Sequence, residues 1–135
     1  MIRSAEVGNL ILQWYASLSS GEVVESMESL LSGQKGFLMI GTDPTEWLEA
    51  SEEVIRGYRA SANRGKYKIR VDEILAYSEG TVSWVVDRTW YTFPNGNEVP
   101  VRHTIVLHRE GGGWKIVHIH GSIGMPNEAI GYASA

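Results

Sequence analysis

Apolar residues in the first third of the chain recur at helical spacing. The first set, at steps of three and four residues, comprises Val7, Leu10, Ile11, Trp14 and Leu18. Such a set forms one apolar stripe along a helix, and Ser4 is a residue type that caps a helix start. A second set predicts a shorter helix ending at Gly33, and it comprises Val23, Val24, Met27, Leu30 and Leu31. The apolar run over residues 37–40 lies between glycines and predicts a strand.

A third helix is predicted to follow the segment Asp43-Pro44-Thr45-Glu46. Asp43 has the side chain of a helix cap, Pro44 suits the first helical position, and Glu46 is spaced to reach back in a capping box. This helix is expected to end near Asn63-Arg64-Gly65 and to carry, on one side, Trp47, Val54, Ile55 and Tyr58.

The second half of the chain has the pattern of four strands separated by short polar turns. The strands are predicted at Tyr67–Tyr77, Thr81–Phe93, Val99–Arg109 and Trp114–Ile123. Each turn contains glycine, which favours antiparallel hairpins between successive strands. Helices followed by a meander of strands predict one α+β domain over residues 1–135, with the helices packed on one face of a curved sheet.

Side chains alternate across a strand, so the parity of each position sorts them into two faces. One predicted face mixes polar and apolar groups: Val82, Trp84, Val86, Arg88, Trp90, Arg102, Thr104, Val106, His108, Trp114, Ile116, His118, His120 and Ser122. The other is mainly aliphatic: Val101, His103, Ile105, Leu107, Lys115, Val117, Ile119 and Ile123. Because a buried arginine needs partners, we expect the mixed face to line a partly empty cavity beneath the helices.

The aliphatic face then needs a cover of its own, since the helices cover one side of the sheet only. A second copy of the chain is the simplest cover, through contact between two sheets. The sequence therefore predicts a homodimer formed through the outer face of the sheet.

Composition and charge narrow the class of protein. The 135 residues carry 12 Lys and Arg against 16 Asp and Glu, with a formal charge of −4 and no cysteine. The absence of cysteine excludes disulfides and thiolate metal sites, and the mild acidic excess argues against nucleic-acid binding. No apolar run approaches the roughly 20 residues of a membrane span. We therefore expect a cytoplasmic protein with no nucleic-acid or membrane partner and no cofactor.

The order of elements resembles the nuclear transport factor two-like superfamily. The most specific stretch is Gly113–Ser122, which is similar to the SnoaL-like branch and to the association domain of calmodulin-dependent kinase two. Residues 41–47 and 102–104 add to the likeness. The resemblance implies a cone-shaped α+β barrel of the cystatin-like type, whose curved, mainly antiparallel sheet wraps on N-terminal helices. It also implies that the cone mouth holds a small-molecule pocket or an enzyme site.

Parity and the resemblance together give a set of candidate ligand-binding residues at this mouth. They are Arg102, Arg88, His118, Trp84, Trp90, Trp114, Thr104 and Tyr15, with His120 as a candidate acid–base group. Arginine suits a carboxylate or an oxyanion, and histidine titrates near neutral pH. The predicted function is binding of a small anionic or carbonyl-bearing molecule, or else an isomerase, dehydratase or hydrolase reaction, or else oligomerisation alone.

Two further chemistries are weighed and not favoured. His118 and His120 have the spacing of two metal ligands, but a third ligand is not evident, so no metal site is expected. Isomerisation of the ketosteroid type needs a carboxylate base in an apolar pocket. No Asp or Glu occurs from Ser29 to Thr42, and Asp43 is better explained as a cap.

Overall fold

A computed structural model describes residues 1–21, 23–61 and 67–133 of the chain. The elements are β1 (Ile2–Arg3), α1 (Ala5–Ser20), α2 (Val23–Leu30), β2 (Leu38–Ile40), β3 (Trp47–Leu48), α3 (Ser51–Ser61), β4 (Lys68–Glu79), β5 (Val82–Thr92), β6 (Glu98–Glu110), β7 (Gly113–Ser122) and a 3₁₀ turn at Asn127–Ile130. The predicted helix end at Asn63-Arg64-Gly65 lies outside the described residues, as do the side chains of Val23 and Val24.

The strands form one mixed, seven-stranded sheet in the order β1-β4-β5-β6-β7-β2-β3. Strands β4 to β7 pair antiparallel in chain order, because each is joined to the next by a turn too short for a crossover. Strand β2 runs parallel to β7 and antiparallel to β3. The predicted α+β class, with a meander after the helices, is confirmed.

Helix α1 lies on the sheet and forms the centre of the core. The Ser4 hydroxyl accepts the Val7 N–H at 3.2 Å, and Gly21 ends the helix with a φ of 84°, in the left-handed region that favours glycine. Its apolar stripe packs with residues of the sheet and of α2 in one cluster that includes Val7, Ile11, Trp14, Leu18, Met27, Val85, Ile105 and Ile119. The predicted cap and apolar face of α1 are confirmed.

The capping-box segment caps a turn and not a helix. Glu46 Oε1 accepts the Asp43 N–H and Asp43 Oδ2 accepts the Thr45 N–H, both at 2.9 Å. The chain then returns along β2 as β3, where Trp47 is 58% exposed. Helix α3 begins only at Ser51. The prediction of a helix carrying Trp47 is therefore wrong, because the same reciprocal bonds also satisfy a tight turn.

The two faces of the sheet are the reverse of the predicted arrangement. Val85 and Ile105, on the face that packs against the helices, are fully buried, whereas Arg102 and Thr104 are exposed on the outer face. The helices offer an apolar stripe, so the aliphatic side of the sheet lies beneath them and the arginines remain in reach of water. The prediction that the mixed face looks inward, and that the aliphatic face is outermost, is wrong.

A β-bulge in β7 explains part of this error. Leu107 pairs with Ile116 and Val106 pairs with His118, so Val117 is an extra residue. An extra residue reverses the alternation of faces along a strand. Before the bulge Trp114 and Ile116 are buried, and after it the buried positions include Ile119. Parity alone therefore grouped residues of β7 that lie on opposite faces.

None of the helices in the described part of the chain is both long enough and apolar enough to span a bilayer.

Adjacent substitutions on β6 test the assignment of the two faces. We expect Ile105→Ala to lower the free energy of unfolding by about 2–5 kcal/mol, because it opens a cavity in the core. Thr104→Ala, on the exposed face, is expected to lower it by less than about 1 kcal/mol. Urea unfolding of both variants measures the difference, and comparable losses would contradict the assignment.

Candidate functional site

A cavity of about 470 Å³ lies between the helices, the β2–β3 turn and the helix-facing side of the sheet. We call it the inner cavity. Its described lining is largely aromatic and aliphatic: Trp14, Tyr15, Leu18, Met39, Ile40, Gly41, Thr42, Glu46, Leu48, Val54, Gly57, Tyr58, Tyr67, Tyr91, Phe93, Val99, Val101, His103, Ile119, Gly121 and Ile123. No lysine or arginine occurs among these residues, and Glu46 is their one carboxylate.

His103, which lines this cavity at its polar end, forms a buried pair with Asp87. They are direct partners across β5 and β6, and their side chains are 0% and 7% exposed. Asp87 Oδ1 lies 2.7 Å from His103 Nδ1 and accepts the His103 backbone N–H at 3.1 Å. Because an ionised carboxylate only accepts, Nδ1 carries the proton of this contact.

Two tyrosine hydroxyls complete a chain of hydrogen bonds through this pair. Tyr15, on α1, donates to Asp87 Oδ2, and its oxygen lies 3.1 Å from His103 Nδ1. Tyr91, on β5, lies with its hydroxyl 2.9 Å from His103 Nε2. With the Nδ1 proton directed at Asp87, neutral His103 accepts the Tyr91 proton at Nε2. Both ring nitrogens are therefore engaged within the protein.

Gly121 on β7 makes room for the imidazole. A Cβ atom at Gly121 would lie 3.4 Å from His103 Cδ2, in van der Waals contact, so a side chain longer than that of alanine would have to share the space with the ring. The glycine interrupts the polar and apolar alternation of β7 beside its cross-strand partner His103. The site is thus built across β5, β6 and β7.

A second pair of tyrosines lies toward the α3 side of the inner cavity. The hydroxyls of Tyr58 and Tyr67 are 2.9 Å apart, and the Tyr67 ring stacks on Tyr91 with centroids 5.2 Å apart. Burial raises the pKa of Tyr58, Tyr67 and Tyr91 above the usual value, and burial followed by the charge of Asp87 does the same for Tyr15. All four hydroxyls therefore remain protonated at neutral pH and act as hydrogen-bonding groups.

Glu46 is positioned at the cavity by Gly41. The Gly41 N–H donates to the Glu46 carbonyl at 3.0 Å, and a Cβ atom at Gly41 would lie within 2.8 Å of the Glu46 side chain. Only glycine permits this approach, so the turn that the capping-box residues form also directs a carboxylate toward the inner cavity.

Most of the sequence-predicted site residues lie on the other face, in an open groove of about 760 Å³. We call it the outer groove, and its predicted members are Arg88, Trp90, Arg102, Thr104 and His120. Arg102 Nε donates to the Ser122 hydroxyl at 3.1 Å, and Arg88 Nε lies 3.5 Å from Glu73 Oε2. These side chains come together, but on the face away from the helices.

The remaining predicted residues lie apart from both cavities, with one exception. Trp84 stacks on Tyr77, His118 Nδ1 lies 2.9 Å from the Leu38 carbonyl, and Trp114 is buried in the core cluster. Tyr15 is the predicted residue that lines the inner cavity. Over the described ranges 1–21, 23–61 and 67–133, no group of three or more histidine, cysteine or carboxylate side chains is arranged to hold a metal ion.

Sequence reasoning missed Asp87, His103 and Tyr91. A usable signal was present, since parity placed His103 on the aliphatic face between Val101 and Ile105. A titratable residue on an otherwise apolar strand face is buried, and a buried titratable group needs a partner. Asp87 is that partner in the strand pairing. Polar residues on the aliphatic face were therefore better guides to the site than the polar residues on the mixed face.

One comparison with known proteins identifies the family, and another identifies the fold. The family model described as the SnoaL-like domain matches residues 7–126. The chain is similar to an NTF2-like protein of unknown function from Pseudomonas putida, at 12% identity over 93% of this chain and 89% of that chain, with a TM-score of 0.80. The comparison with curated proteins gave no match.

Two further solved structures carry more specific descriptions. A proposed calcium/calmodulin-dependent protein kinase II association domain from Xanthomonas campestris is 21% identical over 90% of this chain and 86% of that chain, with a TM-score of 0.71. A proposed ketosteroid isomerase from Shewanella frigidimarina is 19% identical over 85% of this chain and 93% of that chain, with a TM-score of 0.70. These likenesses confirm the predicted fold and extend no further.

Removal of one hydroxyl tests the buried network. We expect Tyr15→Phe to lower the free energy of unfolding by about 1–3 kcal/mol, because Asp87 loses a donor in a buried place. Tyr77→Phe is the matched control, since the Tyr77 hydroxyl takes part in no hydrogen bond of the described residues, and we expect a change within about 0.5 kcal/mol. Urea unfolding measures both variants. An unchanged free energy of unfolding for Tyr15→Phe would rule out the hydrogen bond from Tyr15 to Asp87.

Proposed function

The chain belongs to the SnoaL-like family of the nuclear transport factor two-like superfamily, and from this premise we propose that it binds a small, uncharged, largely apolar molecule in the inner cavity. The molecule carries a polar group, a carbonyl, hydroxyl or N–H, that meets the Tyr91 and His103 end. The observation that carries this proposal is a satisfied hydrogen-bond network that opens onto an aromatic-lined cavity. Ligand sites in proteins combine an apolar wall with a few such polar groups.

The charge of the lining argues for an uncharged ligand. The sequence-based anchor for an anion, Arg102, lies in the outer groove, and Glu46 would repel an anion. Of the two ligand classes expected from the sequence, the carbonyl-bearing one therefore has the better support. The four protonated tyrosines supply hydrogen bonds without charge.

The indole N–H of Trp14, a donor without a hydrogen-bond partner among the described residues, also favours a ligand that carries an acceptor. Trp14 lines the inner cavity and is 4% exposed. A buried donor without a partner costs about 1–3 kcal/mol. A ligand oxygen within reach of Trp14 would recover part of that cost.

A proton-transfer enzyme is the second candidate. A histidine oriented by a carboxylate is a recurrent acid–base arrangement, and the Asp87–His103 contact of 2.7 Å favours it. The acid–base role proposed from sequence for His120 would then belong to His103, since His120 is exposed on the outer face. Because both ring nitrogens are engaged, any proton would pass between the ligand and His103 through Tyr91.

Homodimerisation through the outer face is a further part of the proposal. The outer groove combines acidic residues of β4, such as Glu73, with Arg88 and Arg102 of β5 and β6, around the apolar side chains of Val86 and Trp90. A two-fold axis through this apolar centre would set the acidic side of each groove against the basic side of the partner's groove. The outer face can therefore complement itself in charge.

Cavity filling at Gly57 tests the binding proposal. Gly57 lies at the exposed rim of the inner cavity, and a Cβ atom there would meet no atom within 4 Å. The ring of Gly57→Phe therefore has room to obstruct the cavity without a clash at Cβ, while Gly57→Ala leaves the cavity nearly unchanged. We expect 1-indanone to shift the amide resonances of Gly41 and Gly121, and to bind Gly57→Phe at least about tenfold more weakly than Gly57→Ala. Benzoate, an anion of similar size, is expected to bind more weakly than 1-indanone.

The same samples separate the two candidate functions. In heavy water, the protons next to the 1-indanone carbonyl exchange for deuterium. Exchange that is faster with the protein than without it, and that is lost in His103→Gln, would favour the enzyme. Binding without such exchange is the expected result. Equal binding to both Gly57 variants, shifts centred on Thr104 and Gly124, or no binding at all would contradict a ligand site in the inner cavity.

Sedimentation of the whole chain tests the dimer. We expect a dimer at micromolar concentration and a monomer for Val86→Glu, which puts a charge at the centre of the outer face. Thr81→Glu, in the exposed β4–β5 turn, is the control and is expected to remain dimeric. A monomeric parent chain, or two variants that behave alike, would contradict this interface.

A further inference from the structure

The chain of hydrogen bonds from Asp87 to Tyr91 has one acceptor at one end and one hydroxyl at the other. Asp87 can only accept, and it takes protons from Tyr15 and from His103 Nδ1. At the other end, the Tyr91 hydroxyl has His103 Nε2 as its one hydrogen-bond partner among the described residues. Tyr91 lines the inner cavity, so its remaining hydrogen-bonding capacity is available to a ligand.

A tyrosine hydroxyl has a single proton and can donate it to only one acceptor at a time. When His103 is neutral, the Tyr91 hydroxyl donates its proton to Nε2, and toward the cavity Tyr91 can only accept a hydrogen bond. When His103 is protonated, Nε2 becomes a donor to the Tyr91 oxygen, and the Tyr91 proton is released toward the cavity. Asp87 accepts from Nδ1 in both states, so the network stays satisfied while its open end changes from acceptor to donor.

We propose that the proton on His103 sets which polar group the inner cavity accepts. Neutral His103 selects a ligand with an N–H or O–H donor, and protonated His103 selects a ligand with a carbonyl acceptor. This inference rests on the proposed function, because it assigns a specificity-determining role to His103 and Tyr91 within the same cavity. His103 acts through Tyr91, so it is a positioning residue and Tyr91 is the group that touches the ligand.

The groups around His103 make it the switchable member of the network. Asp87 faces it from β5, Tyr15 from α1 and Tyr91 from β5, while Gly121 of β7 contributes no ionisable side chain. The hydroxyls remain protonated because burial raises their pKa.

Three more titratable groups act on Tyr91 from a greater distance. Tyr67 stacks against its ring, and Tyr58 and Glu46 line the same cavity. Glu46 is exposed at the cavity mouth. Neither of the two tyrosines titrates near neutral pH, because burial raises the pKa of each.

A matched pair of bicyclic probes tests the proposal. Indole offers an N–H donor and no oxygen or nitrogen acceptor, and 1-indanone offers a carbonyl acceptor and no donor. As the pH falls and His103 gains a proton, we expect the affinity for 1-indanone to rise and the affinity for indole to fall, each with a limiting slope of up to about tenfold per pH unit. Calorimetry in buffers of different ionisation enthalpy should show proton uptake with 1-indanone and proton release with indole.

Tyr91→Phe removes the hydroxyl that touches the ligand and leaves the Asp87–His103 pair, so we expect it to bind both probes more weakly than the parent chain. His103→Gln is the diagnostic variant, because its amide does not titrate, and we expect it to remove the opposite pH dependence. If both probes bind the parent chain with the same pH dependence, or if His103→Gln keeps the opposite slopes, this inference is wrong while the binding function stands. If neither probe binds at any pH, the binding function itself fails.

Discussion

The buried pair of Asp87 and His103 is the constraint on which the site depends. A carboxylate with no exposed surface is costly unless its oxygens are satisfied, and Asp87 obtains its three donors from Tyr15 and from the side chain and backbone of His103. These donors come from α1 and β6, so the pair fixes the helix against the sheet. It also holds Tyr91 at the cavity. One electrostatic requirement thereby sets both the packing and the polar end of the inner cavity.

The two faces of the sheet differ in their chemistry. The helix-facing side is aliphatic apart from the Asp87 network and a few hydroxyls, so it forms both the core and the inner cavity. The outer side carries Arg88, Arg102, His120 and Trp90 in an open groove. The proposed ligand site on one face and the proposed subunit contact on the other are compatible within one layer of strands.

Local patterns predicted the fold well, because helical spacing, the Ser4 cap and the glycine turns act over a few residues. The site was harder to predict. Alternation sorts side chains into two sets but does not say which set the helices cover, and an arginine-bearing face such as that of Arg102 belongs in water. The extra residue Val117 reversed the alternation without a mark in the sequence. Asp43 and Glu46 formed their reciprocal bonds around a turn, which local pattern does not distinguish from a helix start.

The protonation pattern of His103 tests the central claim most directly. Nitrogen-15 spectra of the four histidines, recorded across the neutral pH range, distinguish the two neutral tautomers and the charged ring. The account predicts that His103 keeps its Nδ1 proton at every pH, held by Asp87, and that only Nε2 gains or loses one. A neutral His103 that carries its proton on Nε2, or one that exchanges freely between tautomers, would contradict it.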